Sequence, residues 1–392
     1  MKILLVAMSE SIHTARWISQ IADLPGELHL FPVTDCGITH CELRNITVHH
    51  TFHAGLHGAD RCVTLKGMPL FSDFAVQGAS TVLNKLFPER TASRLARLIQ
   101  HLKPDIIHSL EFQHSAYLTL EAKKRFTGTF PAWIATNWGS DIFLFGRLPE
   151  HEAKIRDVLT NADYYSCECR RDVCLAKAYG FEGQTLPVFP NTGGFDLQDI
   201  GKLRSPGPVS ARRTIMLKGY QHWAGRALVG LRALERCADL LGGFTVAIHS
   251  ASPDVEIAAR LFQCSTGIPV TLVPRSTPHR EILALHGTAR ISVGLSISDG
   301  LSTSFLEALV MGSFPIQSWT ACADEWIEDG RTGLLVPPED PDVVEQAIRC
   351  ALNDDVMVDR AAAENWRTAH ERLDHHLLKK QAQELYSTVA DH

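Results

Sequence analysis

Short apolar runs recur along this chain, separated by stretches long enough for a helix. In the first half they are Lys2–Ala7, Glu27–Val33, Asp105–Leu110, Ala132–Thr136 and Asp163–Cys167. In the second half they are Arg213–Lys218, Phe244–His249, Pro269–Val273, Ala289–Leu295 and Ser313–Ser318. The runs are continuous in Val, Ile and Leu instead of alternating with polar residues, as in strands covered on both faces. Strands interleaved with helix-length segments predict βαβ units and parallel sheets, an α/β class.

The two series are separated by Pro190–Arg212. This stretch holds Asn191, Gly193, Gly194, Gly201, Pro206, Gly207 and Pro208, the poorest segment for regular structure. It predicts an N-terminal domain over 1–195, a linker over 196–212 and a second domain over 213–365. A helical pattern runs from about Glu364 to Val389, with Leu373, Leu377, Leu378, Ala382, Leu385 and Tyr386 mostly three or four residues apart. No internal repeat or low-complexity tract is present.

Composition narrows the class. With 392 residues, 45% of them hydrophobic, the chain exceeds one ordinary core, and two domains follow. A formal net charge of -6 gives no whole-molecule attraction for nucleic acid. The apolar run at Met1–Trp17 is too short for a signal segment and lacks a small-residue cleavage site. No stretch approaches the roughly 20 apolar residues of a membrane span. Ten cysteines in such a chain predict reduced thiols and a cytoplasmic protein.

The segment Ser296–Ile316 carries the most chemistry. It leaves a predicted strand in a Ser/Gly/Thr-rich turn and opens a helix, with Ser302, Thr303 and Ser304 all good N-cap residues. Backbone N–H groups at such a turn form an anion site, favoured further by the helix dipole. Asp299 and Glu307 bracket it. A carboxylate binds phosphate poorly but accepts hydrogen bonds from sugar hydroxyls. The pair can therefore hold a pyranose and a ribose on either side of a diphosphate.

This segment resembles the acid–x7–acid signature of glycosyltransferase family 4, the group 1 retaining enzymes. Glu307, Ala308, Gly312, Pro315 and Ile316 keep the pattern, while Asp299 stands where the family has Glu. Trp326–Pro337 is similar to the family's closing turn. In the N-terminal half, Asp105–Ser109 resembles the strand leading to the cleft, and Val188–Thr192 the strand and turn before the linker. Asn137–Asp141 sits at the family's His-Gly-x-Asp loop, with Trp138 in the His position. The Gly-Gly pair after the first strand is replaced by a loop holding Ser9, Ser11 and His13.

The resemblance implies a GT-B fold: two Rossmann-like domains whose parallel sheets face a central cleft, with helix 366–392 returning to the N-terminal domain. It implies a hexosyltransferase whose donor is a nucleotide sugar, UDP- or GDP-linked, with no cofactor and no metal. The donor side would comprise Gly300, Ser302, Thr303, Ser304, Phe305 and Glu307, with Arg226 and Lys218 as cations for the diphosphate. Asp299, Glu307, Arg226, Lys218 and Asp141 are the expected catalytic set. Ser11, His13, His108, His114, Trp138 and Asp141 are expected on the acceptor side, facing a glycan or lipid-linked acceptor.

Several features admit plainer readings. Cys167, Cys169 and Cys174 lack paired metal-ligand spacing and read as core thiols. His49, His50, His53 and His57 lack the helical metal-site arrangement and read as a polar loop or strand edge. Asp340-Pro-Asp342 matches the Asp-x-Asp of metal-dependent transferases but reads as a helix start. The stretch Thr91–Leu102, with Arg90, Arg94 and Arg97 on one face, reads as a helix covering a sheet; peripheral contact with anionic lipid is the second reading. A nucleotide-sugar epimerase, a phosphorylase or a non-catalytic binding module on the same scaffold are the competing functions.

Overall fold

The continuous apolar runs of the first half become strands of one all-parallel sheet. In the computed structural model, which describes residues 1–55, 62–87 and 89–390, these strands are β1 (Lys2–Ala7), β2 (Glu27–Pro32), β3 (Ile46–His53), β4 (Val63–Pro69), β5 (Ile106–Leu110), β6 (Ala132–Thr136), β7 (Tyr164–Ser166) and β8 (Gln184–Thr185). Their order is β4-β3-β2-β1-β5-β6-β7-β8. Alternate residues of β1 serve opposite faces, as the period of two requires. Ile3, Leu5 and Ala7 pack with Trp17 and Ile18 on one face. Leu4 and Val6 pack with Phe31, Leu95 and Ile99 on the other.

The second half forms β9 (Thr214–Lys218), β10 (Thr245–His249), β11 (Val270–Leu272), β12 (Ala289–Gly294), β13 (Phe314–Ser318) and β14 (Leu334–Val336). These too are parallel, in the order β11-β10-β9-β12-β13-β14. The sequence direction of the sheet reverses between β9 and β12, and in the first sheet between β1 and β5. Such reversals open a crevice at the carboxyl ends of the strands, where doubly wound folds bind ligands.

The chain divides into two units, Met1–Gly194 with His376–His392, and Phe195–His375. The predicted C-terminal helix is two helices, Asp355–Arg372 and His375–Ala390, interrupted at Leu373 and Asp374. Phe195 N donates to Leu373 O at 2.8 Å and His375 N to Phe195 O at 3.1 Å, so the break is pinned by pairing with the start of the second unit. Only the second helix belongs to the first unit, where Leu378, Ala382, Leu385 and Tyr386 are buried against Trp17 and Ile18.

The expected linker is also folded. Leu197–Leu203 is a helix started by Asp196, whose carboxylate accepts from Gln198 N and Asp199 N. Its Leu197 and Ile200 are buried with Leu306 and Val310, burial that overrides the weak helix propensity of the stretch. The structure places His49, His50 and His53 within β3, and His57 lies outside the described residues. His29 Nδ1 and His49 Nε2 are 3.0 Å apart, and burial pushes the His49 pKa down to about 4. Cys167 is a buried core thiol whose ionisation burial disfavours.

The helix Arg90–Leu102 buries Ala92, Leu95, Ala96 and Ile99. Arg94 is drawn inward: it pairs with Asp35, donates to His49 O at 2.8 Å and lies over the Phe31 ring. The basic face read from the sequence therefore loses its middle arginine to the fold. No helix among the described residues is long and apolar enough to cross a membrane.

Candidate functional site

In the second unit, the crevice at the β9/β12 reversal receives the acid–x7–acid turn. Strand β12 ends at Gly294, the chain turns through Ser296–Ser302, and the helix Thr303–Met311 begins. Its far end is closed by Gly312 at φ +82, where an added Cβ would stand 2.6 Å from Arg204 Nη2. Only glycine meets both demands without strain.

The cap residue of this helix is diverted. Ser302 makes no side-chain capping bond to the helix; its Oγ instead accepts from Lys218 Nζ at 3.0 Å. Of the first-turn amides, Phe305 N donates to Ser302 O at 3.0 Å, while those of Thr303 and Ser304 have no intrahelical carbonyl. Lys218, at the end of β9, also lies 3.4 Å from Asp299 Oδ2 and 4.9 Å from the centre of the Tyr220 ring. Asp299 Oδ1 accepts from Gly300 N at 3.0 Å. Ser304 Oγ and His249 Nε2 are 3.0 Å apart, bringing the end of β10 into the same crevice.

Glu307 lies one turn into the helix and is buried. Its Oε1 is 2.7 Å from His279 Nε2, and its Oε2 is 3.6 Å from His286 Nε2. His286 Nδ1 in turn meets Ser292 Oγ at 3.0 Å. Burial alone would raise the Glu307 pKa, but the His279 hydrogen bond and the neighbouring imidazoles outweigh it and hold the carboxyl below its usual value. Burial, with the His286 charge beside it, pushes the His249 pKa down to about 3, so this ring is neutral at physiological pH.

Two expected donor-side residues stand differently. Phe305 has its ring in the core, and its N–H donates to Ser302 O at 3.0 Å, so neither group is available to a ligand. Arg226 precedes the helix Ala227–Arg236, but its Nε donates to Glu339 Oε1 at 2.8 Å and its Nη1 to Gly225 O at 2.9 Å. Asp340 caps the helix Pro341–Asn353 by accepting from Asp342 N and Val343 N. That carboxylate is occupied as a cap residue's would be.

The first unit has its own crevice, where loops after β1, β5 and β6 meet. Ser11 caps the helix Ile12–Ile21, accepting from His13 N at 3.2 Å. The His13 ring lies 5.6 Å from that of Trp138. Trp138 N and Phe112 N donate to Asp141 Oδ2 at 2.9 and 3.1 Å. Asp141 is buried, and burial together with the Glu111 charge raises its pKa to about 8. Glu111, which the sequence reading did not single out, takes a rare backbone conformation at φ +84. Its carboxylate accepts from His114 N at 2.9 Å and from Ser115 N at 3.3 Å.

His108 does not join this group. It is fully buried, with Nδ1 2.6 Å from Tyr386 Oη and Nε2 2.5 Å from Thr136 Oγ1, and burial pushes its pKa down to about 3. It holds the last helix to the sheet. Sequence reasoning missed Glu111, His249, His279 and His286. Only His249 carried a local signal, its place at the carboxyl end of a strand in a doubly wound unit.

Comparisons with known proteins agree with this architecture. Residues 264–370 match the family described as "Glycosyl transferases group 1", and residues 77–166 match "Glycosyl transferase 4-like". No curated protein matches the chain by sequence. Among solved structures, sucrose-phosphate synthase from Thermosynechococcus elongatus is 14% identical with a TM-score of 0.70, over 99% of this chain and 98% of that one. HepE from Anabaena, in complex with UDP and glucose, is 17% identical with a TM-score of 0.66, over 99% of this chain and 100% of that one. The trehalose-phosphate synthase of Burkholderia xenovorans, in complex with glucose-6-phosphate, is 12% identical with a TM-score of 0.67, over 99% of this chain and 100% of that one. Two parallel-sheet units of this order thus coincide with both family matches: the chain has the GT-B fold, with a glycosyltransferase group 1 domain in its second unit and a glycosyltransferase 4-like segment in its first.

Proposed function

We propose that this enzyme moves a hexose from a UDP- or GDP-linked donor to a hydroxyl of a glycan, a lipid-linked sugar or a small molecule, with retention of anomeric configuration and without a metal ion. The observation that carries the reading is Lys218 Nζ held 3.0 Å from Ser302 Oγ and 3.4 Å from Asp299 at the start of the helix Thr303–Met311. A fixed cation beside the Thr303 and Ser304 amides at the helix start suits a departing diphosphate and needs no reorganisation when charge develops. Arg226 contributes by exchanging Glu339 for phosphate. Glu339 is 65% exposed, and such a pair is weakly held. Asp299 is assigned the donor sugar. Glu307 is assigned the ribose, whose hydroxyls would exchange with the half-exposed His279.

Retention is supported by the state of Asp141. It is the acid best placed for a general base in the Asn137–Asp141 loop, yet its pKa of about 8 leaves it protonated at neutral pH. The leaving diphosphate then takes the acceptor's proton on the same face. Independence from metal is supported by the capping role of Asp340. HepE in complex with UDP and glucose favours a UDP-hexose donor. A cytoplasmic site of action fits the supply of nucleotide sugars.

The test is incubation with a panel of nucleotide sugars and acceptors, with the anomeric proton of the product read by NMR. A retained linkage is expected. Inverted product would overturn the mechanism, and interconversion of the donor sugar without transfer would favour the epimerase reading.

A further inference from the structure

The acceptor role of the first unit rests on the reading above, but the geometry after β5 says more about what that side takes. Glu111 ends β5 in a left-handed conformation that side chains rarely adopt. This turns its carboxylate back over the next turn. His114 Nδ1 lies 3.2 Å from both carboxylate oxygens, while the His114 and Ser115 amides donate to the same group. An ionised carboxylate only accepts, so the imidazole proton must sit on Nδ1. The neutral ring then presents Nε2 as a lone pair, fixed in tautomer by its partner. The His114 side chain is 61% exposed, whereas that of Glu111 is 9% exposed. One member of the pair is buried beneath, and the other is open to solvent.

The charges around the ring are acidic. Glu111 after β5, Asp141 after β6 and Glu10 after β1 all favour the protonated ring, the Glu111 hydrogen bond most strongly, and the His114 pKa is raised. Tyr117, on the helix Tyr117–Arg125, bonds His151 with its hydroxyl and contributes no charge at neutral pH. Acids converging from three strand ends would repel a phosphate and tolerate a hydroxyl.

We propose that His114 Nε2 accepts a hydrogen bond from a hydroxyl of an uncharged sugar acceptor, with Glu111 as the positioning residue, and that this subsite disfavours a phosphorylated sugar. The acceptor bond needs the neutral ring. Acceptor kcat/KM therefore rises with pH through the raised His114 pKa, and removing the Glu111 charge moves that limb to lower pH.

Three measurements on the full chain test this. In a proton NMR titration, the ring signal lost in His114→Gln should titrate above pH 6.5 and move down in Glu111→Gln, which keeps an oxygen for the two amides. An unmoved midpoint overturns the pairing, whatever the enzyme's activity. With a donor that the wild type turns over, His114→Ala should raise KM for neutral glycosides about tenfold and lower kcat less, the loss of one hydrogen bond. An unchanged KM overturns the contact. Wild-type preference for hexose 6-phosphates over free hexoses overturns the acceptor class. Absence of turnover with every donor would strike the hexosyltransferase reading instead, leaving the titration to decide the pair.

Discussion

At the scale of residues, two buried carboxyls carry opposite pKa shifts. Glu307 is buried yet held ionised by His279 and its neighbours. Replacing it with Gln should weaken nucleotide binding by about 1.5–3 kcal/mol, the value of a hydrogen bond to a charged acceptor. Calorimetry with UDP and GDP checks this, and unchanged affinity would remove Glu307 from the donor site. Asp141 is the reverse case, an acid whose folded pKa of about 8 lies above its unfolded value. The stability it contributes is full below the unfolded carboxyl pKa and is lost as pH rises toward the folded one. Asp141→Asn keeps an oxygen for the Trp138 and Phe112 amides and removes the titration. Its melting temperature relative to wild type should therefore climb between about pH 4 and pH 8 and level off above. A difference that is flat with pH would contradict the raised pKa. In transfer assays the same variant should raise acceptor KM more than it lowers kcat; loss of turnover would make Asp141 a base after all.

At the scale of elements, the last helix is held by one buried polar chain. Trp17 Nε1 donates to Tyr386 Oη at 2.9 Å, and the same hydroxyl meets His108 Nδ1 at 2.6 Å. Tyr386→Phe keeps the packing but leaves two buried polar groups unsatisfied, so it should destabilise by about 1–3 kcal/mol. Urea unfolding measures this, and a stability equal to wild type would show that the chain of bonds is dispensable. The helix itself was legible from its apolar spacing. Its start at His375 was not, because the interruption depends on the pairing of Phe195 with residues far along the chain. The linker was misread for a similar reason. Its Gly and Pro content argued against structure, while Leu197 and Ile200 find a buried surface against Leu306 and Val310.

At the scale of the whole molecule, the proposed function has Lys218 and Arg226 supply the charge for the leaving group, so full activity is expected in EDTA. Turnover restored only by magnesium or manganese would refute this. The chain by itself determined much of the rest. Ten strands were readable because their runs are continuously apolar, which all but the edge strand β11 owe to cover on both faces, and the turn Asp299–Glu307 because cap residues, acids and glycine lie close together in sequence. β3 and β4 escaped because His, Lys and Thr near a sheet edge carry no such signal, and β8 and β14 because they are only two and three residues long. The partners of the key acids were decided by tertiary structure alone. His279 lies 28 residues from Glu307, and Asp141 shares its surroundings with Glu111 from another strand end. A pKa is set by burial and by charges brought together in space, and local pattern encodes neither. The sequence thus determined which elements form and where the acid-bracketed turn lies, whereas only folding decided which carboxyls are charged and which histidines stand beside them.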